Sequence, residues 1–428
     1  AVDIWESLIT SSVPIRIQAR WTTLGASVLG SANYTSAYAN FEGAQKLNVF
    51  YPVAIAEKIT GREMNNSQPD LFANFNSSFD WHLNPDTPPT GKYDLKTVVL
   101  HEIGHGLGFS GTFTVSATQG FFGLSTTSVP IIYDVPVRNG FLANLIESYP
   151  SGSEDLRAQL VSQNLFFTTA TVPAAKLYVP TTFNGGSSIS HVDESTYNGG
   201  GDALMTPQIG ASERIENPGI ALKMLKDLGW SYTKIIHNPV TAFEDIAGPY
   251  TITTSIQADA AGYNDLTVKL HYTLNGTTFT TLDMTPTGTA NEFSADIPSA
   301  GIARDYGYYI SVNDTEGREF VSPGKIVTAL QAQRQTLHVF STGPDTEAPK
   351  ITHTPKGFLL DSDTELIVDA KVTDNLGVKT VSLEYYKNAV SLGTIPLALT
   401  SPEEDSIYAT TLNLAALNLQ IDDQIKYR

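Results

Sequence analysis

The sequence predicts an α+β domain at its N-terminal end, followed by all-β sandwiches. One run, Asp94–Gly108, sets Leu95, Val98, Val99, Ile103 and Leu107 at the spacing of a helix with one buried face. Beyond about residue 235 the pattern changes to short alternating strands such as Tyr250-Thr251-Ile252-Thr253, Leu266–Tyr272 and Tyr308–Val312. Turn signals such as Asn275-Gly276 separate them, which is the rhythm of a β-sandwich. Hydrophobic residues make up 41% and charged residues 16%, a balance that sustains packed structure rather than disorder.

A chain of 428 residues exceeds what one hydrophobic core serves, so several domains are expected. Residues 1–235 mix helical and strand patterns with Gly-rich loops and hold four of the eight histidines. Residues 236–343 and 344–428 each have roughly the 100-residue length of an immunoglobulin-like sandwich. They share a repeat, since Thr267–Tyr272 aligns with Thr380–Tyr385, and Ser341–Pro349 reads as the linker between them. The first sandwich continues well past Tyr309, whereas the second stops at Arg428, so the second is expected to be truncated.

The net charge is −18, with 26 basic against 44 acidic residues and no basic cluster, which argues against a nucleic-acid partner. No cysteine is present, so disulfides and thiolate ligands are excluded, and any metal must be held by His, Asp or Glu. No apolar run reaches the roughly 20 residues of a membrane span. The opening Ala1-Val2-Asp3-Ile4-Trp5 has no signal-peptide pattern, which fits an intracellular chain or a mature form whose leader has been removed.

Within the Asp94–Gly108 helix, Asp94 is the expected N-cap and Gly108 the expected left-handed terminator. His101 and His105, four residues apart, project from one face and can reach one ion. Glu102 stands about 100° round the helix, near such an ion without having to bind it. Two helical histidines are usually ordinary surface or core. His-Glu-x-x-His after an apolar helical run, with Gly108 three residues on, points instead to a catalytic zinc with Glu102 as its base. A catalytic zinc takes three protein ligands and keeps a position for water. His82, His191, His237, His271, His338 and His353 remain as candidates for the third; the last three lie in the β modules and His237 in the linker. His191 stands out because Asp202-Ala203-Leu204-Met205-Thr206-Pro207 follows it closely.

Four blocks in this order resemble leishmanolysin-type metzincins. They are His101–Gly111, Tyr133–Val137, Ser190-His191 with Asp202–Pro207, and Met224–Trp230. The likeness covers roughly the first 232 residues. In the usual metzincin pattern the third ligand would fall at Gly111, which has no side chain; leishmanolysin-type members carry an insertion before it. The resemblance implies a metzincin fold with a twisted sheet, an active-site helix and a Met-turn. It also implies His191 as third zinc ligand and Met205 as the Met-turn residue. The absence of cysteine sets this chain apart from protozoan and animal members and suggests a bacterial, secreted one.

The implied activity is that of a secreted zinc metalloendopeptidase cleaving extracellular proteins. Leu71–Ser78 is a candidate edge strand, with Phe72, Asn74 and Phe75 as candidate substrate-binding residues. Asp193, Glu194 and Asp202 could hold a structural calcium or bond to a zinc ligand, although a solvated acidic loop is the simpler reading. The alternative is a non-catalytic metal-containing adhesion or glycan-binding protein. Glu102 argues against it, because a structural metal site has no use for that carboxylate.

Overall fold

In a computed structural model, residues 1–124, 127–259, 261–360, 362–374, 377–400 and 406–428 are described. The chain is β-rich: strands dominate, in small sheets of mostly two to four strands. The longest helix described spans twelve residues, Leu95–Gly106, and the other α-helices four to eight. This corrects the expected fold class, an α+β metzincin domain ahead of the sandwiches. A chain with 33 glycines and 23 prolines interrupts helical runs within a few turns.

Contacts divide the chain into two compact units. The first comprises 1–238, 253–295 and 308–338, and the second 239–252, 296–307 and 339–428. In the first unit, strand β1 (Ile17–Thr22) runs parallel to β3 (Leu71–Asn76), which pairs antiparallel with β2 (Gly30–Tyr34). The order β1-β3-β2 puts β3 in the centre and leaves β2 at the edge. Helix α1 (Leu95–Gly106) packs on β2 and β3. Its close approach depends on glycine, because a Cβ at Gly106 would lie 2.7 Å from the Leu71 side chain.

The Asp94 carboxylate caps α1, accepting from the Thr97 amide at 3.0 Å and from Arg214 at 2.7 Å. Gly108, at φ +116°, ends the helical path beside Ile55, a conformation that side-chain-bearing residues rarely adopt. Two buried indoles hold the helix. Trp5 donates to the Leu100 carbonyl at 3.0 Å and Trp230 to the Leu107 carbonyl at 2.8 Å.

The β segments of this unit are joined to its N-terminal part by specific bonds. Lys46-Leu47 pairs parallel with Lys325-Ile326. Arg318, 6% exposed, binds Asp227 at 2.5 Å and Asp314 and Glu316 at 2.8 Å each. Loss of Arg318 would leave the buried Asp227 and Asp314 carboxylates uncompensated, which costs several kcal/mol.

Residues 350–427 of the second unit form two antiparallel sheets. One contains Lys350–Thr352, Glu365–Thr373, Ile407–Asn413 and Ala398–Leu399, and the other Val390–Pro396, Ser382–Lys387 and Ile425–Tyr427. Glu365–Thr373 alternates exposed and buried residues, and Leu366, Val368, Leu383, Leu397, Leu412 and Leu414 form the core. No helix among the described residues is long and apolar enough to cross a membrane.

Candidate metal centre

The second and third turns of α1 place His101 and His105 on one face, both 7% exposed. His191, 5% exposed, comes to them from a loop fastened on both sides. Tyr178 and His191 are joined through the Tyr178 amide and His191 carbonyl at 2.9 Å, and the Val192 amide donates to the Met205 carbonyl at 2.9 Å. The Gly111 amide donates to Ser190 Oγ at 3.0 Å. The position that lacks a ligand side chain thus holds, through its backbone, the residue preceding the third histidine. A Cβ at Gly111 would meet Asp134 Oδ1 at 2.9 Å. That buried carboxylate accepts from both the amide and the hydroxyl of Thr112, and burial pushes its pKa up to about 6.

The three imidazoles turn the same way. Each Nδ1 faces a backbone carbonyl: Leu204 at 2.7 Å for His101, Phe109 at 2.7 Å for His105 and Ser187 at 2.9 Å for His191. A carbonyl only accepts, so each Nδ1 carries the proton and each Nε2 presents a bare lone pair. The Nε2 atoms stand 3.1, 3.2 and 3.3 Å from one another. Burial lowers the pKa of all three, His105 to about 3, so protonation cannot relieve their repulsion at neutral pH. A cation can. Three nitrogens about 2.0–2.1 Å from one tetrahedral ion stand about 3.3 Å apart, so the donor set fits zinc.

Met205 lies beneath this face, fully buried on the turn Ala203–Met205 whose Leu204 carbonyl orients His101. Gly104, between the two helical histidines, makes room for it: a Cβ there would lie 2.9 Å from Met205 Sδ. Glu102 is 5% exposed, and no described residue bonds its Oε2. Burial raises its pKa to about 8, and a neighbouring cation would bring it down again.

The centre opens into a cleft of about 1100 Å³ bordered by residues 26–33 of β2 and its approach. Phe72, Asn74 and Phe75 are not among its lining residues, and the edge position expected for their strand belongs to β2. β3 is central because β1 pairs with its other side, a parallel partner that alternation in one strand cannot reveal. Gly30 has a part in the site that no motif marks. A Cβ there would come within 2.5 Å of Glu102 Oε1 and 2.9 Å of its Cγ and Cδ, so β2 shapes the berth of this carboxylate. A glycine at the start of an otherwise alternating strand was the available signal.

Asp193, Glu194 and Asp202 are engaged locally. Asp193 accepts from Ser195 and Thr196, Glu194 from Asn198, and Asp202 from the Ile220 amide. They do not form one of the close ligand groups among the described residues; those are His101/His105/His191 and Glu57/Glu63/Asp70.

A family model described as SPBPB7E8-like matches residues 18–139, which include α1 and its two histidines but not His191. No curated protein matches the chain. The crystal structure of CopC from Methylosinus trichosporium OB3b aligns with 27% of this chain and 99% of its own, at 9% identity. Its TM-score of 0.19 is too low to bear on fold or function.

Proposed function

We propose that the protein is a zinc-dependent endopeptidase with a leishmanolysin-like order of motifs. The observation that carries this is the convergence of three proton-free Nε2 atoms beside a buried carboxylate whose Oε2 has no partner, at the floor of an open cleft. His101, His105 and His191 would hold the ion. When bound, zinc would supply Lewis acidity for a peptide carbonyl and acidify a water molecule. Glu102 accepts the water's proton at its carboxylate and returns it to the departing amine. The backbone carbonyls on the three Nδ1 atoms fix the tautomer and aim of each ring. Among the described residues β2 is paired on one side only, and it offers an edge along which an extended peptide can lie. The secreted location and extracellular protein targets rest on the motif resemblance alone.

Glu102→Ala tests this reading. The variant should keep its zinc, measured by elemental analysis, and lose about 10²–10⁴-fold in kcat on a denatured protein substrate. Cleavage at the wild-type rate would sink the mechanism.

A further inference from the structure

Sixteen per cent of the chain is charged, yet among the described residues lining the cleft Glu102 is the single Asp, Glu, Lys or Arg. The cleft lining includes Phe79, Tyr93 and Ile209, which pack against a small apolar cluster containing Val98. It also includes hydroxyls and bare backbone, from Thr112 and Ser187 to Gly185 and Gly186. In a protein of net charge −18, a cleft wall offering neither counter-charge nor a repelling carboxylate beyond Glu102 is a distinct chemical surface.

We infer that the cleft selects uncharged stretches of polypeptide, and that a formal charge of either sign on the residues flanking the scissile bond is rejected. This rests on the peptidase reading of the same site. The physical reason is desolvation. A charged side chain entering the groove sheds water and, beyond the immediate reach of the zinc position and Glu102, meets no wall residue of opposite charge, whereas an amide or hydroxyl finds hydroxyl and backbone partners. Side chains as long as Lys can partly escape by reaching solvent, so Asp should be rejected more strongly than Lys. With Glu102 the one acidic or basic side chain among the described lining residues, recognition of a neutral peptide should also be insensitive to salt.

The test uses the whole protein and a cleavable peptide built of Ala, Ser, Phe and Leu. Each residue flanking the scissile bond is replaced in turn by Asp, Asn, Lys or Gln. Asp should lower kcat/KM about tenfold or more relative to Asn, and Lys by less relative to Gln. For the parent peptide, kcat/KM should stay within about twofold between roughly 0.05 and 0.5 M salt. Asn184 lines the cleft and is exposed, so Asn184→Lys should restore cleavage of the Asp peptides. Binding of the same peptides to the Glu102→Ala protein is measured by calorimetry. If nothing is cleaved but neutral peptides bind more tightly than charged ones, the peptidase reading falls and the selection stands. Charged peptides cleaved as well as neutral ones would overturn the selection and leave the peptidase reading intact. Equal binding of all peptides, or none, overturns it too.

Discussion

Two groups of potential ligands lie in the first unit, His101/His105/His191 and Glu57/Glu63/Asp70, and in both the ligand atoms come within 4.8 Å of one another. They differ in what their lone pairs already do. In the acidic group, Asp70 accepts from the Arg16 amide at 2.7 Å and from Asn65 at 2.8 Å. Glu63 takes the Arg16 guanidinium at 2.5 Å and the Ser67 amide at 3.1 Å, and Glu57 takes the Met64 amide at 2.8 Å. The oxygens of this group thus already accept from protein donors outside it. In the histidine group every donor hydrogen points outward to a carbonyl, and the lone pairs are left facing one another. Proximity of ligating atoms is common to both, and unspent lone pairs belong to the second.

The comparison breaks most visibly at His191. His191→Ala should weaken zinc by more than about 100-fold and abolish cleavage, as read by metal content after dialysis. Full occupancy would mean that the third ligand lies elsewhere. Gly30→Ala comes next. It should keep the metal, because the histidines are untouched, and lower kcat about 100-fold by displacing Glu102. If the added methyl acts through that carboxylate, the fall in Tm it causes disappears in the Glu102→Ala background. An equal fall in both backgrounds would show damage to β2 itself.

The smallest effect is expected at Glu57, and its sign depends on pH. Burial, with Asp70 and Glu63 alongside, raises its pKa from 4.5 to about 7. Between those values the folded protein binds a proton that the unfolded chain has released, so the favourable contribution present below pH 4.5 is lost as pH rises through about 7. Glu57→Gln should therefore gain Tm relative to wild type, by a few degrees, between about pH 5 and 8 with zinc content unchanged. Loss of zinc in this variant would erase the distinction between the two groups.

Much of the centre was legible before the fold. The apolar spacing from Leu95 to Leu107 announced the helix, Asp94 its cap, and the four-residue step from His101 to His105 the shared face. These are local properties, decided by residues within a turn or two of one another. The fold class was not legible in the same way. The α+β expectation rests on mixed helical and strand patterns and on the metzincin resemblance, whereas 33 glycines and 23 prolines confine most helices to about two turns. Nor could alternation in Leu71–Asn76 show that a parallel neighbour from residues 17–22 would occupy its free side. Gly30 escaped notice because its role exists only where β2 crosses Glu102.

The bond from Gly111 to Ser190 has a wider consequence. It pinches together the two ends of a 79-residue excursion, so the chain leaves and re-enters the centre through a closed neck. The cost of closing a loop grows only logarithmically with its length, about 0.6 kcal/mol for each doubling. Exposed turns inside the neck, such as that at Phe141 and Leu142, can therefore lengthen, shorten or acquire new surfaces at little thermodynamic expense, while Asp134 and Tyr178 go on holding Thr112 and His191 in place.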